Sequence, residues 1–352
     1  MRFKALSRLG VAIAILSGAA TVQPTPIVRA DAVQFVAAGT PSDPPRIVAD
    51  FNGWEGGDMT PSGDGRTYTL RVTLDPAARI EYLIAYRSQF VLDPGNPLTV
   101  PSPAGLPRSE LRMPEYRPPA PLPPPRSRGT IVEVPFTSKA GGTRRIRVYQ
   151  PPTARRNVPI LYVHDGDIFI NALGLPSILD SLISAGRMEP TVVACIDAVD
   201  RHDDYAPGSP FRSIFTSEIV PMLEQRYAIA RDRRAVLGLS RSTVAALDTC
   251  ANGSIPFDAC ALLAPAIPAK DFSAVLPVAG SKTRVFIETG LYDIPLVADA
   301  RALRRELEGR RLSVRYVESP EGHNHSAFRA RLPELLEQIF PGGRRLHRVD
   351  WR

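Results

Sequence analysis

The sequence predicts an α/β chain, a mostly parallel sheet with helices on both faces, preceded by a small all-β sandwich. Three observations predict it. Residues 129–341 alternate apolar, strand-like runs with helical patterns, as a sheet covered by helices requires. Residues 31–115 hold several short strand-like runs with no helical pattern between them. The proline run "YRPPAPLPPPRSRG" stands between the two regions, and a proline-dense segment can join neither helix nor sheet.

The first element, residues 1–30, reads as an export leader. A basic start, "MRFKALSRLG", is followed by a short apolar run, "VAIAILSGAATV", and a cleavage-like "VRA" ending at Ala30. The apolar run is short for a bilayer, so no stable membrane span is expected once the leader is removed. An uncleaved anchor is the competing reading. An exported chain, periplasmic or secreted, is expected. The 352 residues carry a formal charge of +7. Arg2, Lys4, Arg8 and Arg29 fall in the leader, which leaves 39 basic against 36 acidic residues. So small an excess gives no ground for nucleic-acid binding.

In residues 31–115 the candidate strands are "AVQFVAAG", "RIVADFN", "TYTLRVTL", "IEYLIAYR" and "FVLDP". In "TYTLRVTL", Tyr68, Leu70, Val72 and Leu74 share one face, the period of a half-buried strand. Trp54 is either a sugar-stacking platform or a packing residue of the sandwich. Residues 116–128 read as a stiff, extended linker.

Residues 129–341 then give the strands "RRIRVYQPP", "PILYVHDG", "TVVACIDA", "RAVLGLS", "ACALLAP", "TRVFIETG" and "LSVRYVE". Helical patterns fall at "LGLPSILDSLISAG", "SIFTSEIVPMLEQRY", from Ser242 onward, at "VADARALRRELEGR" and at "RARLPELLEQIF". Residues 342–352 form a basic tail. The cysteines Cys195, Cys250 and Cys260 show no metal-ligand spacing, and no cofactor is expected. Cys250 and Cys260 are spaced for a disulfide or are simply small buried residues.

The chemistry centres on "RRAVLGLSRSTVAAL". Gly238-Leu239-Ser240-Arg241-Ser242 follows an apolar strand and opens a helix, the setting of a nucleophile elbow, although that motif asks for glycine at the fifth position. Downstream, "VFIETGLYDIP" puts Asp293 just past a strand, and "RYVESPEGHNHSAF" puts His323 in a loop before the last helix. Serine, acid, histidine is the order in which α/β-hydrolases carry their triad. Asp293 competes with Glu288 and Asp299, and His323 with His325. The oxyanion donors are expected at the Arg241 amide and in the loop near Gly166 and Asp167. His164 and Asp165 are expected to shape that loop.

The segments "PILYVHDGDIF", "SEIVPMLEQRYAIARDRRAVLGLS", "IETGLYD" and "EGHNHSAFRARLPELL" resemble, in order and spacing, the esterase D-like branch of the α/β-hydrolases. "VADFNGWEGGDM" and "ARIEYLIAYRSQFVLDPGNP" resemble the early-set immunoglobulin-like domain that precedes some of these esterases. Together they resemble enterochelin esterase-like proteins. That resemblance implies a serine hydrolase of carboxylic esters, with Ser240, Asp293 and His323 on the triad positions. Ser242 and Thr243 depart from the family's two glycines, and Glu321 from the glycine before Gly322-His323. For a large anionic siderophore, Arg241, Arg201 and Arg212 are candidate substrate-binding cations. A carbohydrate or small-molecule ester is an alternative substrate. A non-catalytic binding protein on the same scaffold is an alternative of another class.

Overall fold

A computed structural model describes residues 25–102, 105–140, 142–153 and 157–343. The expected leader, up to residue 24, and the tail from residue 344 lie outside the described residues.

The N-terminal part holds two sheets. One runs Ile27–Arg29, Ala32–Ala38, Thr67–Thr73, Thr60–Pro61. The other runs Gly57–Asp58, Arg46–Ala49, Arg79–Ala85, Arg108–Arg112, Thr99–Val100, with Phe90–Val91 also paired to Arg79–Ala85. Val33, Phe35, Ile47, Tyr68, Ile80 and Tyr82 fill a common core. Alternation places Tyr68 and Leu74 inside, as the strand period predicts. The expected leader boundary at Ala30 meets this sheet. Ile27–Arg29 pairs antiparallel with Ala32–Ala38, and the Val36 N–H donates to Thr25 Oγ1 at 3.1 Å. A cut after Ala30 removes that edge strand.

Several strands escape the sequence reading, Thr130–Thr137 and Thr99–Val100 among them, and two do so for opposite reasons. Arg108–Arg112 is mostly charged, yet Ser109, Glu110 and Leu111 are buried in the second sheet. Ile27–Arg29 is very short. Residues 114–129 form no strand or helix, as the prolines dictate. They do not stand free, however. Leu122 packs into the core of the following part, the Arg126 N–H donates to Ser184 Oγ, and the Gly129 N–H donates to Asp180 Oδ1 at 2.7 Å.

The C-terminal part is one eight-stranded sheet. We number its strands β1 Thr130–Thr137, β2 Thr143–Gln150, β3 Val158–His164, β4 Val192–Ile196, β5 Ile229–Leu239, β6 Ala259–Leu263, β7 Arg284–Tyr292 and β8 Ser313–Gly322. Their order is β1-β2-β4-β3-β5-β6-β7-β8, antiparallel at β1 and β2 and parallel thereafter. The longer helices are α1 Leu175–Ser184, α2 Ser242–Asn252, α3 Leu296–Gly309 and α4 His325–Ile339. A further helical run comprises Pro210–Ile214, Phe215–Ile219 and Val220–Arg226. Successive side chains of each central strand enter opposite cores. Ile160 and Tyr162 meet α2, α3 and the helical run, while Leu161 and Val163 meet α1 and α4. Double-sided burial is why these strands read as continuous apolar runs. The chain is thus mixed α/β, and the parallel register brings the C-terminal ends of β5 to β8 to one edge, where ligands of open α/β sheets bind.

Candidate active site

At the end of β5, Ser240 has φ 53°, a left-handed conformation that costs a residue with a side chain of order 1–3 kcal/mol. Its surroundings fasten it. The Ser240 N–H donates to the Leu263 carbonyl at 2.9 Å, and its own carbonyl accepts from the Thr243 N–H at 3.1 Å and the Thr243 hydroxyl at 2.5 Å. A Cβ at Gly238 would lie 2.5 Å from the Ser242 carbonyl, so glycine is required there. The two residues that depart from glycine are both buried and both occupied. Ser242 Oγ accepts the Leu239 N–H at 2.8 Å and donates to the Leu239 carbonyl at 2.9 Å. Both departures tie the turn with side-chain hydrogen bonds.

Asp293 follows β7 and is 1 % exposed. Its Oδ1 lies 2.9 Å from His323 Nδ1. His323 follows β8 directly, with a third of its side chain exposed and its ring edge against Phe328, centroids 5.0 Å apart. The rival acids are elsewhere. Glu288 accepts from Arg315 at 2.8 Å, and burial pushes its carboxyl up to about 7. Asp299 lies on α3. His325 is the first residue of α4, and burial pushes its imidazole below the usual histidine range. The structure therefore pairs Asp293 with His323. Ser240 Oγ makes no hydrogen bond to a protein group among the described residues, His323 included, and nucleophile–base bonds are often long before substrate enters.

Across β5, the chain after β3 turns at Asp165, φ 59°, whose carboxylate receives two bonds from Arg201, each 2.7 Å, and whose N–H donates to the Tyr205 hydroxyl. Gly166 passes against Cys195, with no room for a Cβ. The Arg241 and Gly166 N–H groups donate to no protein acceptor among the described residues. The Asp167 N–H, expected as an oxyanion donor, is instead given to Asp197 Oδ1 at 2.7 Å. His164 is fully buried among Tyr205, Phe211 and Phe215 with neither ring nitrogen partnered, and burial pushes its imidazole down to about 3. It is a neutral packing residue.

The three candidate cations differ. Arg201 is committed to Asp165, and Arg212 to Asp248 at 2.7 Å, so neither offers uncompensated charge. Among the described residues the Arg241 side chain donates to the carbonyls of Arg201 and His202, at 3.2 and 2.9 Å, and has the exposed Asp200 carboxylate as its charged neighbour. Trp54 is no open platform. Its N–H donates to Asp50 and the Arg108 guanidinium lies 4.1 Å over its ring. The three cysteines are free thiols, and burial pushes the Cys250 thiol well above the usual cysteine range. Among the described residues no cluster suits a metal ion, and no helix is long and apolar enough to cross a membrane. Sequence reasoning missed Asn324, whose side chain accepts the Ala327 N–H as the cap of α4. An asparagine just ahead of a helical run was the available signal.

Residues 137–339 match the family model described as "Putative esterase". Among solved structures, the ferric enterobactin esterase of Salmonella typhimurium has 16% identity and a TM-score of 0.68, covering 88% of this chain and 93% of that one. The enterobactin esterase of Shigella flexneri has 17% identity and a TM-score of 0.66, covering 88% and 92%. A ferulic acid esterase has 16% identity and a TM-score of 0.52, covering 61% of this chain and 99% of that one. At these identities the likeness is one of fold. No curated protein sequence matches the chain.

Proposed function

The chain belongs to the putative esterase family, and from that premise we propose that it is an exported serine esterase working through Ser240, His323 and Asp293. In this reading residues 129–341 are an α/β-hydrolase domain and residues 31–115 an immunoglobulin-like one. Ser240 Oγ attacks the ester carbonyl while His323 Nε2 takes its proton. The Arg241 and Gly166 N–H groups receive the oxyanion of the tetrahedral intermediate. Collapse breaks the C–O bond, and His323 returns the proton to the departing alcohol. Water then attacks the acyl-enzyme by the same steps, freeing the acid and Ser240. Asp293 fixes the proton on Nδ1 and stabilises the imidazolium.

The observation that carries the reading is the 2.9 Å bond from buried Asp293 to His323, at the sheet edge where β5 delivers Ser240. A siderophore-type ester is the favoured substrate. The likeness to the two enterobactin esterases extends over 88% of the chain, against 61% for the ferulic acid esterase, and Arg241 keeps a charge suited to an anionic ligand. Carbohydrate or small-molecule esters are the competing substrates. Export rests on the leader-like residues 1–30.

A fluorophosphonate probe tests the mechanism, with labelling of the wild type and none of Ser240→Ala expected. A wild type that neither labels nor hydrolyses any ester refutes it and favours a binding protein on this scaffold. A panel of p-nitrophenyl esters, feruloylated sugars and catecholate trilactones then separates the substrates. Turnover of simple esters without trilactone cleavage refutes the siderophore assignment.

A further inference from the structure

The N-terminal sandwich reaches the segments that carry both the acid and the base. Arg46–Ala49 ends in a tight turn, Asp50–Asn52, and the Asp50 side chain is 1 % exposed against the end of β8. Asp50 Oδ2 accepts from Asn324 Nδ2 at 3.0 Å, and Asn324 is the residue after His323. Oδ2 also accepts the Glu81 N–H at 2.8 Å, and Oδ1 the Trp54 indole N–H at 3.1 Å. Three N–H donors thus aim at one buried carboxylate. On the other side of His323, Gly322 runs so close to Asp50 that a Cβ there would strike the carboxyl. Arg79, itself buried between Glu81 and Glu110, donates to Asn324 Oδ1 at 3.3 Å. The acid segment is gripped as well. The Asp75 N–H donates to the Tyr292 hydroxyl at 2.8 Å, beside Asp293, and Gly53 turns against the Ile294 carbonyl.

His323 needs this support. It lies between β8 and α4 with a third of its side chain exposed, and its one hydrogen bond among the described residues goes to Asp293. Its aim at Ser240 depends on how the backbone of Gly322 and Asn324 is held. Gly322 pairs with Tyr292 of β7 on one side, and on the other Asp50 of the sandwich presses on Gly322 while Asp50 and Arg79 bond Asn324. Asn324 serves twice, as cap for α4 through Oδ1 and as donor to Asp50 through Nδ2.

We propose that the N-terminal sandwich is a working part of the catalytic centre, with Asp50 and Asn324 as positioning residues that hold the His323 segment in register with Asp293. The proposal rests on the serine-esterase reading above. It makes the sandwich necessary for turnover and not only a wall of the substrate cleft.

The test measures Asp50→Asn and Asn324→Ser in the full chain. Asp50→Asn sets an amide against N–H donors that now meet an oxygen. Asn324→Ser keeps a cap for Ala327 but is too short to reach Asp50, so α4 survives and the link is cut. Hydrolysis of p-nitrophenyl butyrate is followed across pH, with fluorophosphonate labelling of Ser240 and thermal unfolding measured in parallel. The expected result is a fall in kcat and in labelling rate of about tenfold or more with KM within about twofold, the pattern of lost alignment and not lost substrate binding. If Asp50→Asn does not fold, Asn324→Ser alone decides. A folded Asn324→Ser with wild-type kcat and labelling rate overturns the proposal, as does a loss of rate that merely tracks the unfolded fraction. A wild type without any esterase activity sinks the catalytic reading first. An active wild type with an indifferent Asn324→Ser sinks only this proposal.

Discussion

Replacing Ser242 by alanine removes one hydroxyl that serves both backbone groups of Leu239. The side chain is fully buried, and its bonds to the Leu239 N–H and carbonyl are 2.8 and 2.9 Å. Alanine leaves both groups buried without that partner. An orphaned buried N–H or C=O costs about 1–3 kcal/mol, and the carbonyl keeps a second lone pair, so a total of about 3 kcal/mol is expected. For a unit of this size that corresponds to a melting point lower by roughly 6–12 °C. Urea unfolding followed by circular dichroism measures it, and an unchanged m-value shows that the native state is what lost stability. The same hydroxyl closes the turn that holds Ser240 at φ 53°, so phosphonate labelling should also slow in the folded variant. A stability change under about 0.5 kcal/mol, typical of a surface substitution, refutes the view that this hydroxyl ties the elbow.

Asp293→Asn should lower kcat about 10³–10⁴-fold with little change in KM, because the amide turns the imidazole to the wrong tautomer; steady-state kinetics read it. Arg241→Ala should cut the preference in kcat/KM for an anionic over a neutral ester about fivefold and flatten its salt dependence, measured between low and moderate ionic strength. His164 is neutral in the fold, with its imidazole pushed down to about 3 from an unfolded value near 6.5. Its contribution is therefore complete above pH 6.5 and is lost as pH falls toward 3, amounting to about 2 kcal/mol by pH 5. Urea titrations at pH 7.5 and 5 should show that loss in the wild type relative to His164→Phe. Buried Asp50 and Glu288, raised in the fold to about 7, change stability in the opposite sense but cancel in the comparison. Parallel pH dependence in the two proteins contradicts the assignment.

What the sequence determined by itself was set by short-range rules. Runs apolar on both faces named the central strands, and prolines named the segment without strand or helix. Gly238 ahead of Ser240, with an acid and a histidine following in order, named the candidate site. Each signal lies within a few residues, or in the order of motifs along the chain, and neither needs a fold to be read. Tertiary structure decided the pairings. Asp293 rather than Glu288 meets His323 because β7 sends one carboxylate past its end and the other sideways to Arg315. Arg201 and Arg212 lost their free charge to Asp165 and Asp248, each 36 residues away. The Asp167 amide went to Asp197, and the mostly charged segment Arg108–Arg112 formed a strand with its middle three residues buried. Asp50 came to Asn324 across 274 residues. Contacts at such separations exist only once the sheets have closed, because they depend on which surfaces pack and not on any local pattern of residues.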